Sequence, residues 1–210
     1  MKAESFFTEA ERQSIAAAIH EAEGSTAGEI AVLVVGQCDD YPEGRMLAGA
    51  VIGSLLAFAG TELFRPGSLP VFIVAALGLI ALCGWLIGYL PAVKRFFTPD
   101  DRLEQQVRDR ALAAFYEKGL YKTRDESGVL FFISLFERKV WVLADRGIHA
   151  KIPPETLQAF AGDIALGMKS GNAAAVLCRQ IRAAGAILAA HFPVKPGDSN
   201  ELTDEVMIGQ

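Results

Sequence analysis

Charge is scarce in the middle of this chain. The 48 residues from Met46 to Val93 carry two charged side chains, Glu62 and Arg65, whereas the other 162 of the 210 residues carry 43. Those flanks are about 27% charged, which is ordinary for a soluble protein. The gap excludes a chain that is soluble throughout or disordered throughout. The length excludes a many-helix transporter. Positive charge is not in excess: 20 Lys and Arg against 25 Asp and Glu leave a net charge of −5. A nucleic-acid partner is thereby excluded, since neutralising phosphates takes a basic face. Cysteine is sparse and lacks CxxC spacing, so Cys38, Cys83 and Cys178 read as reduced, buried small hydrophobes. His20, His149 and His191 are far apart and have no HExxH spacing. Nucleophile elbows, Walker loops, GxGxxG and EF-hand patterns are missing too. The start, MKAESFFTEAERQ, has no apolar h-region and reads as lacking a cleavable signal peptide.

The uncharged middle resolves into two runs. Leu69 to Val93 holds 25 residues without a charge, enough for a helix to cross a hydrocarbon core of ~30 Å. The earlier run, about 46–64, is near the lower limit for a span. Glu62 to Ser68 contains Arg-Pro-Gly, which is good turn chemistry. A transmembrane hairpin over 46–93 follows, with spans of about 46–64 and 69–93, and the lipid bilayer as a partner. Gly49 and Gly53 form one GxxxG pattern and Gly84 and Gly88 another. Such spacing lets helix backbones approach in lipid, within the hairpin or between two copies. A run rich in Gly and Ala also produces the pattern by composition. Trp85, Tyr89, Phe96 and Phe97 suit an interfacial aromatic belt. Arg45 precedes the hairpin, Lys94, Arg95, Arg102 and Arg108 follow it, and the turn has Arg65 alone. Positive residues favour the cytoplasmic side. The expectation is a multi-pass protein of a bacterial inner membrane with a cytoplasmic soluble domain.

The flanks alternate helices and strands. Thr8 to Glu11 reads as a capping box before Ile15, Ala18, Ile19 and Ala22 at helical spacing. EIAVLVV, residues 29 to 35, reads as a strand buried on both faces. After the hairpin, Thr98 as N-cap and Pro99 at N1 open a helix closed by Gly119. GVLFFISLF from Gly128 and RKVWVLAD from Arg138 form an antiparallel strand pair. Pro153 and Pro154 open a further helix, and Asn172 caps a last one ending at His191. Residues 196–210 read as a polar, extended or disordered tail. The fold class is α/β, a three-layer αβα sandwich. Residues 1–45 and 94–195 form one discontinuous domain into which the two-helix transmembrane hairpin is inserted.

Chemistry, if present, rests on carboxylates at strand ends. Asp39 and Asp40 follow the first strand, Asp125 and Glu126 precede the second, and Asp145 ends the third. Converging strand ends would let such acids bind a divalent cation. The alternative is that they cap turns and are simply solvated.

The segments FFTEAERQSIAAAI, TAGEIAV, TRDESGVLFFISLFERKVWVLADRGI and HFPVKPGDSNELTDEV resemble, taken together, the TPM domain family. The likeness is greatest to its small bacterial membrane proteins with a transmembrane hairpin inside the domain. It implies an αβα sandwich, an envelope role and a phosphatase or calcium-binding activity. The family's Asn-rich turn and Gly-Tyr-Gly motif are replaced here by Asp125-Glu126-Ser127 and Ala144-Asp145-Arg146-Gly147, so Gly128 and Gly147 carry over. Asp125 and Asp145 are the candidate ligands for Ca or Mg. Two functions are carried forward. One is a non-catalytic membrane module that assembles or maintains an envelope complex, with a membrane-protein partner or a second copy of itself. The other is a metal-dependent phosphatase.

Overall fold

The computed structural model describes residues 3–123, 125–194 and 203–209. The chain divides into two units, 1–38 with 104–210, and 39–103. These limits lie outside the expected hairpin limits of 46 and 93, because flanking residues on either side fold with the hairpin.

The first unit is mixed α/β. Helix α1 (Glu9–Glu23) starts at Thr8, where Thr8 and Glu11 each accept the other's backbone N–H, as the capping box requires. Strand β1 (Glu29–Val35) pairs in parallel with β2 (Gly128–Ser134), from Glu29 opposite Gly128 to Val35 opposite Ser134. Every residue of both strands is buried, as a strand covered on two faces should be. Strand β3 (Lys139–Ala144) returns antiparallel to β2. With the short strand β4 (Met207–Gly209), the sheet order is β3-β2-β1-β4. Ile30, Val32, Val34, Phe131 and Ile133 pack with Ile15 and Ile19 of α1. The same core takes in Leu157 and Ile164 of α7 (Pro154–Lys169), and Leu177 and Ile181 of α8 (Ala173–His191). The alternate residues, Ala31, Leu33, Leu130 and Phe132, pack with Val107, Ala111 and Phe115. Those last three lie on the helix Asp100–Glu117, called α5 below. Period-two alternation along the strands therefore serves two helical faces.

Several expectations need correction. The tail is not wholly irregular: Met207–Gly209 forms β4, parallel to β1 with Met207 opposite Leu33. Three residues are too few to show a period, and the edge of β1 would otherwise go unpaired. Residues 196–202 and 210 of that tail lie outside the described residues. Helix α5 begins at Asp100, because Thr98 is committed elsewhere, its Oγ donating to Lys94 O at 2.9 Å. Asn172 occupies the N-cap position of α8 without a side-chain cap bond. Asp145 caps the four-residue helix α6 (Arg146–His149), its Oδ1 accepting from Arg146 N at 2.7 Å. Cys83 and Cys178 are buried, but Cys38 is half-buried and its thiol donates to Ser134 Oγ at 3.4 Å.

The second unit is a helical hairpin. Helix α2 (Pro42–Phe64) begins with proline at its first position, and α3 (Leu69–Ile87) follows a short turn. Helix α3 stops well before Val93: Gly88 caps it, and Pro91 lacks the N–H that continuation needs. Pro91 instead opens a separate short helix, α4 (Pro91–Phe96). The inward stripe of α2 is Gly44, Ala48, Gly49, Gly53, Ala57 and Thr61, all buried. A Cβ on Gly49 would lie 2.8 Å from Gly84 Cα, and one on Gly53 would lie 2.6 Å from Ile80 N. Gly88 faces the Arg45 side chain, not α2 backbone. Large apolar groups point the other way, among them Leu55 at 65% exposure, Leu77 at 68% and Val74 at 73%.

Three helices of the described chain, α2, α3 and α8, are long and apolar enough to cross a membrane. They differ in what covers them. Nine residues of α8 are buried within its own unit, including Gln180, whose amide donates to Asp163 at 2.7 Å.

The backbone contact at Gly53 gives a direct test. Gly53→Leu should destabilise the hairpin by about 1–3 kcal/mol, the usual cost of overpacking. Gly60→Leu should be neutral, because the space around Gly60 is open. Thermal unfolding of the detergent-solubilised chain checks both.

Candidate functional site

Folding brings the two candidate ligands to one corner of the first unit. Asp125 lies just before β2 and Asp145 just after β3. The antiparallel pairing of those strands makes neighbours of the two ends, and Asp145 N donates to Gly128 O at 2.9 Å. Gly147 seals the contact. A Cβ there would lie 2.7 Å from Glu126 O and 2.8 Å from Asp125 O, so no larger residue fits. Glu126 takes a positive φ of 52° to turn the loop. Asp145 is half-buried, and its Oδ2 has no hydrogen-bond partner among the described residues.

A metal centre asks for more donors than these two. Calcium takes six to eight oxygens and magnesium a near-octahedral set. Among the described residues, no three His, Cys, Asp or Glu side chains converge on one point. Asp145 Oδ1 already caps α6. Asp125 and Asp145 are thus brought to one corner, and among the described residues no third such ligand joins them.

Asp39 and Asp40 belong to the second unit and serve the start of α2. Arg102 donates to Asp39 Oδ2 at 2.9 Å and to Glu43 Oε1 at 3.0 Å. Asp40 N donates to Asp39 Oδ1, and Asp40 O accepts from Lys94 Nζ at 3.3 Å. This is local bracing of a helix end.

Two polar clusters escaped the sequence reading. Glu137, in the β2–β3 turn, is fully buried. Its Oε1 accepts from Cys38 N at 2.8 Å and its Oε2 from Ser134 Oγ. A buried carboxylate needs such donors to offset its lost hydration. Together they tie the segment leaving β1 to the turn leaving β2. Turn glutamates are commonplace, so nothing in the sequence marked it.

The second cluster joins the end of α1 to the tail. Glu23 Oε1 accepts from Ile30 N at 2.8 Å, and His20 Nδ1 lies 3.0 Å from Asp204 Oδ2. Burial pushes the Glu23 carboxyl up from an ordinary 4.5 to about 8. The hydrogen bond from Ile30 opposes that rise, while the Glu29 and Asp204 carboxylates add to it. His20 and Glu23 are legible as a pair on one helix. Asp204 is 181 residues further along and carried no signal.

No family model matches the chain, and no curated protein does. Among solved structures it is similar to the BA42 protein of the psychrophilic bacterium Bizionia argentinensis, known from NMR. The TM-score is 0.62 over 99% of each chain, at 22% identity. A likeness at that identity shows a shared fold and nothing of activity.

The Glu23 cluster makes stability depend on pH with a definite sign. Its folded pKa of about 8 exceeds its ordinary 4.5, so between those values the folded chain holds a proton that the unfolded chain has lost. The contribution is complete below about 4.5 and is lost as pH rises through about 8. Glu23→Gln keeps the acceptor for Ile30 N and removes the charge. Its Tm should match wild type below about 4.5 and exceed it above about 8, measured by calorimetry across pH.

Proposed function

We propose that the chain is a membrane-anchored α/β module of TPM type that holds an envelope protein complex together. Its domain is a three-layer αβα sandwich, and α2 and α3 cross a bacterial inner membrane as a hairpin. The observation that carries this reading is the inverted packing of the hairpin. Gly49, Gly53 and Ala57 face inward while Leu55, Val74 and Leu77 face outward. In water that surface would be a large exposed apolar patch, which soluble monomers avoid. In lipid it is the expected arrangement, since close backbone packing and not burial drives helix association. Helix α8 is read as a core helix because its apolar side is already covered within its own unit. The positive residues flanking the hairpin favour a cytoplasmic domain.

Reporter fusions at Ser68 and at the C-terminus test the topology. The expected result is a cytoplasmic C-terminus and a Ser68 site on the far side. A C-terminal reporter outside the cytoplasm would overturn the orientation. Crosslinking in native membranes tests the module, and recovery of the bare monomer alone would overturn it.

A second reading, a Ca- or Mg-dependent phosphatase at Asp125 and Asp145, is favoured by one observation. The buried, unpartnered Asp145 Oδ2 lies at the corner where the Asp125 loop packs on Gly147. The thin donor set ranks it behind the module. Under the leading reading, purified chain should not turn over p-nitrophenyl phosphate, with or without Mg²⁺ or Ca²⁺. Metal-dependent turnover that vanishes in Asp145→Ala would promote the phosphatase instead.

A further inference from the structure

Strand β3 closes one side of the sheet, and among the described residues nothing pairs with its outer edge. Register says which groups that edge offers. Asp145 N donates to Gly128 O, so Asp145–Gly128 is a hydrogen-bonded pair. Such pairs alternate along an antiparallel ladder. Leu143, Trp141 and Lys139 therefore spend their backbone groups on β2. Val140, Val142 and Ala144 turn theirs outward. No described residue meets those outward groups.

The same edge runs along a groove of about 320 Å³. On one face of the sheet it is walled by Trp141 and Leu143, with Arg108 of α5 beside them. On the other face stand Val140 and Val142, with Leu157 of α7. The lining includes Arg108 and His149 and no carboxylate, in a chain whose net charge is −5. Arg108 makes no ion pair among the described residues. Lys139, at the far end of β3, is neutralised by Glu104 at 3.0 Å. Val140, Val142 and Ala144, whose side chains are buried, bear a row of backbone groups unpaired among the described residues. That row, an apolar wall and a cation with no ion pair among those residues together describe the receptor half of a strand-addition site.

We propose that the outer edge of β3 binds an extended peptide segment of a partner protein, with alternating apolar and acidic residues. The peptide backbone pairs with Val140, Val142 and Ala144. Its apolar side chains lie over Leu157, and its acidic ones reach Arg108 and His149. Period-two alternation follows from the two unlike faces that an added strand must straddle. This rests on the module reading and deepens it, because it names the surface through which the module holds its partner.

The test uses the full chain in phosphatidylcholine nanodiscs and a fluorescent hexapeptide of alternating valine and glutamate, followed by anisotropy. The valine–lysine peptide should bind about fivefold more weakly, because it sets a like charge against the exposed Arg108 where the glutamate peptide sets an opposite one. A valine–glutamate peptide N-methylated at alternate amides, which cannot complete the ladder, should lose binding to a similar extent. Arg108→Glu, an exposed substitution that leaves the core untouched, should reverse the preference between the glutamate and lysine peptides. Amide exchange at Val140, Val142 and Ala144 should slow when the glutamate peptide is added. Equal binding of the N-methylated peptide, an unchanged preference in Arg108→Glu, or self-association of the chain through β3 would each overturn the proposal. The two readings fail separately. A native partner crosslinked equally by wild type and Arg108→Glu sinks the groove and spares the module. Peptide selectivity as expected, with no native partner recovered, spares the groove and sinks the module.

Discussion

Parallel pairing of β1 with β2 is the constraint on which the fold depends. Two parallel neighbours cannot be joined by a tight turn, because the chain must travel back the length of the sheet before it pairs again. Everything from Gly36 to Ser127 is that return journey. It contains α5, which covers Ala31, Leu33, Leu130 and Phe132, and it contains the whole of the second unit. The exit is fixed at once, by Glu137 accepting from Cys38 N and Ser134 Oγ. That side chain is fully buried, so removing its donors would leave buried polar oxygens unsatisfied in the core, which is among the costlier local lesions. A crossover of this size is tolerable because loop-closure entropy grows only slowly with length.

The two units pack by opposite rules. In the first, Ile, Leu, Val and Phe go inside and the burial of apolar area is the driving force. In the second, the smallest residues go inside and the largest apolar ones outside. Each rule fails in the other's solvent: a glycine-lined seam gains little from water, and a leucine-lined one gains little from lipid. The chain carries both patterns, and the 48 nearly uncharged residues mark where one gives way to the other.

What was legible in the sequence follows from how local each signal is. The α1 capping box, the β1 run and the β2–β3 pair are set within a few residues, and all three are found in the structure. The two apolar runs were readable from charge alone, but the limits of their helices were not. Composition does not register that Pro42 can start α2 or that Pro91 must end α3. The candidate corner was half legible: Asp125 and Asp145 were marked as strand-end acids, and β2–β3 pairing makes them neighbours. Their small number of donors appears only in three dimensions. Glu137, Asp204 and β4 were illegible because each acquires meaning from a partner distant in sequence.

The sheet treats its two edges differently, and the difference is informative. On the β1 side, a three-residue strand from the end of the chain covers the edge, beside the Asp204 contact to His20. On the β3 side a single lysine, Lys139, stands at the start of the strand, and from Val140 to Ala144 there is no proline and no bulge. Exposed edges are ordinarily blunted by such devices because an open apolar strand recruits whatever strand it meets. The β3 edge is therefore lightly defended, by Lys139 at one end alone. The proposed strand addition would give that edge the partner that β4 gives to β1.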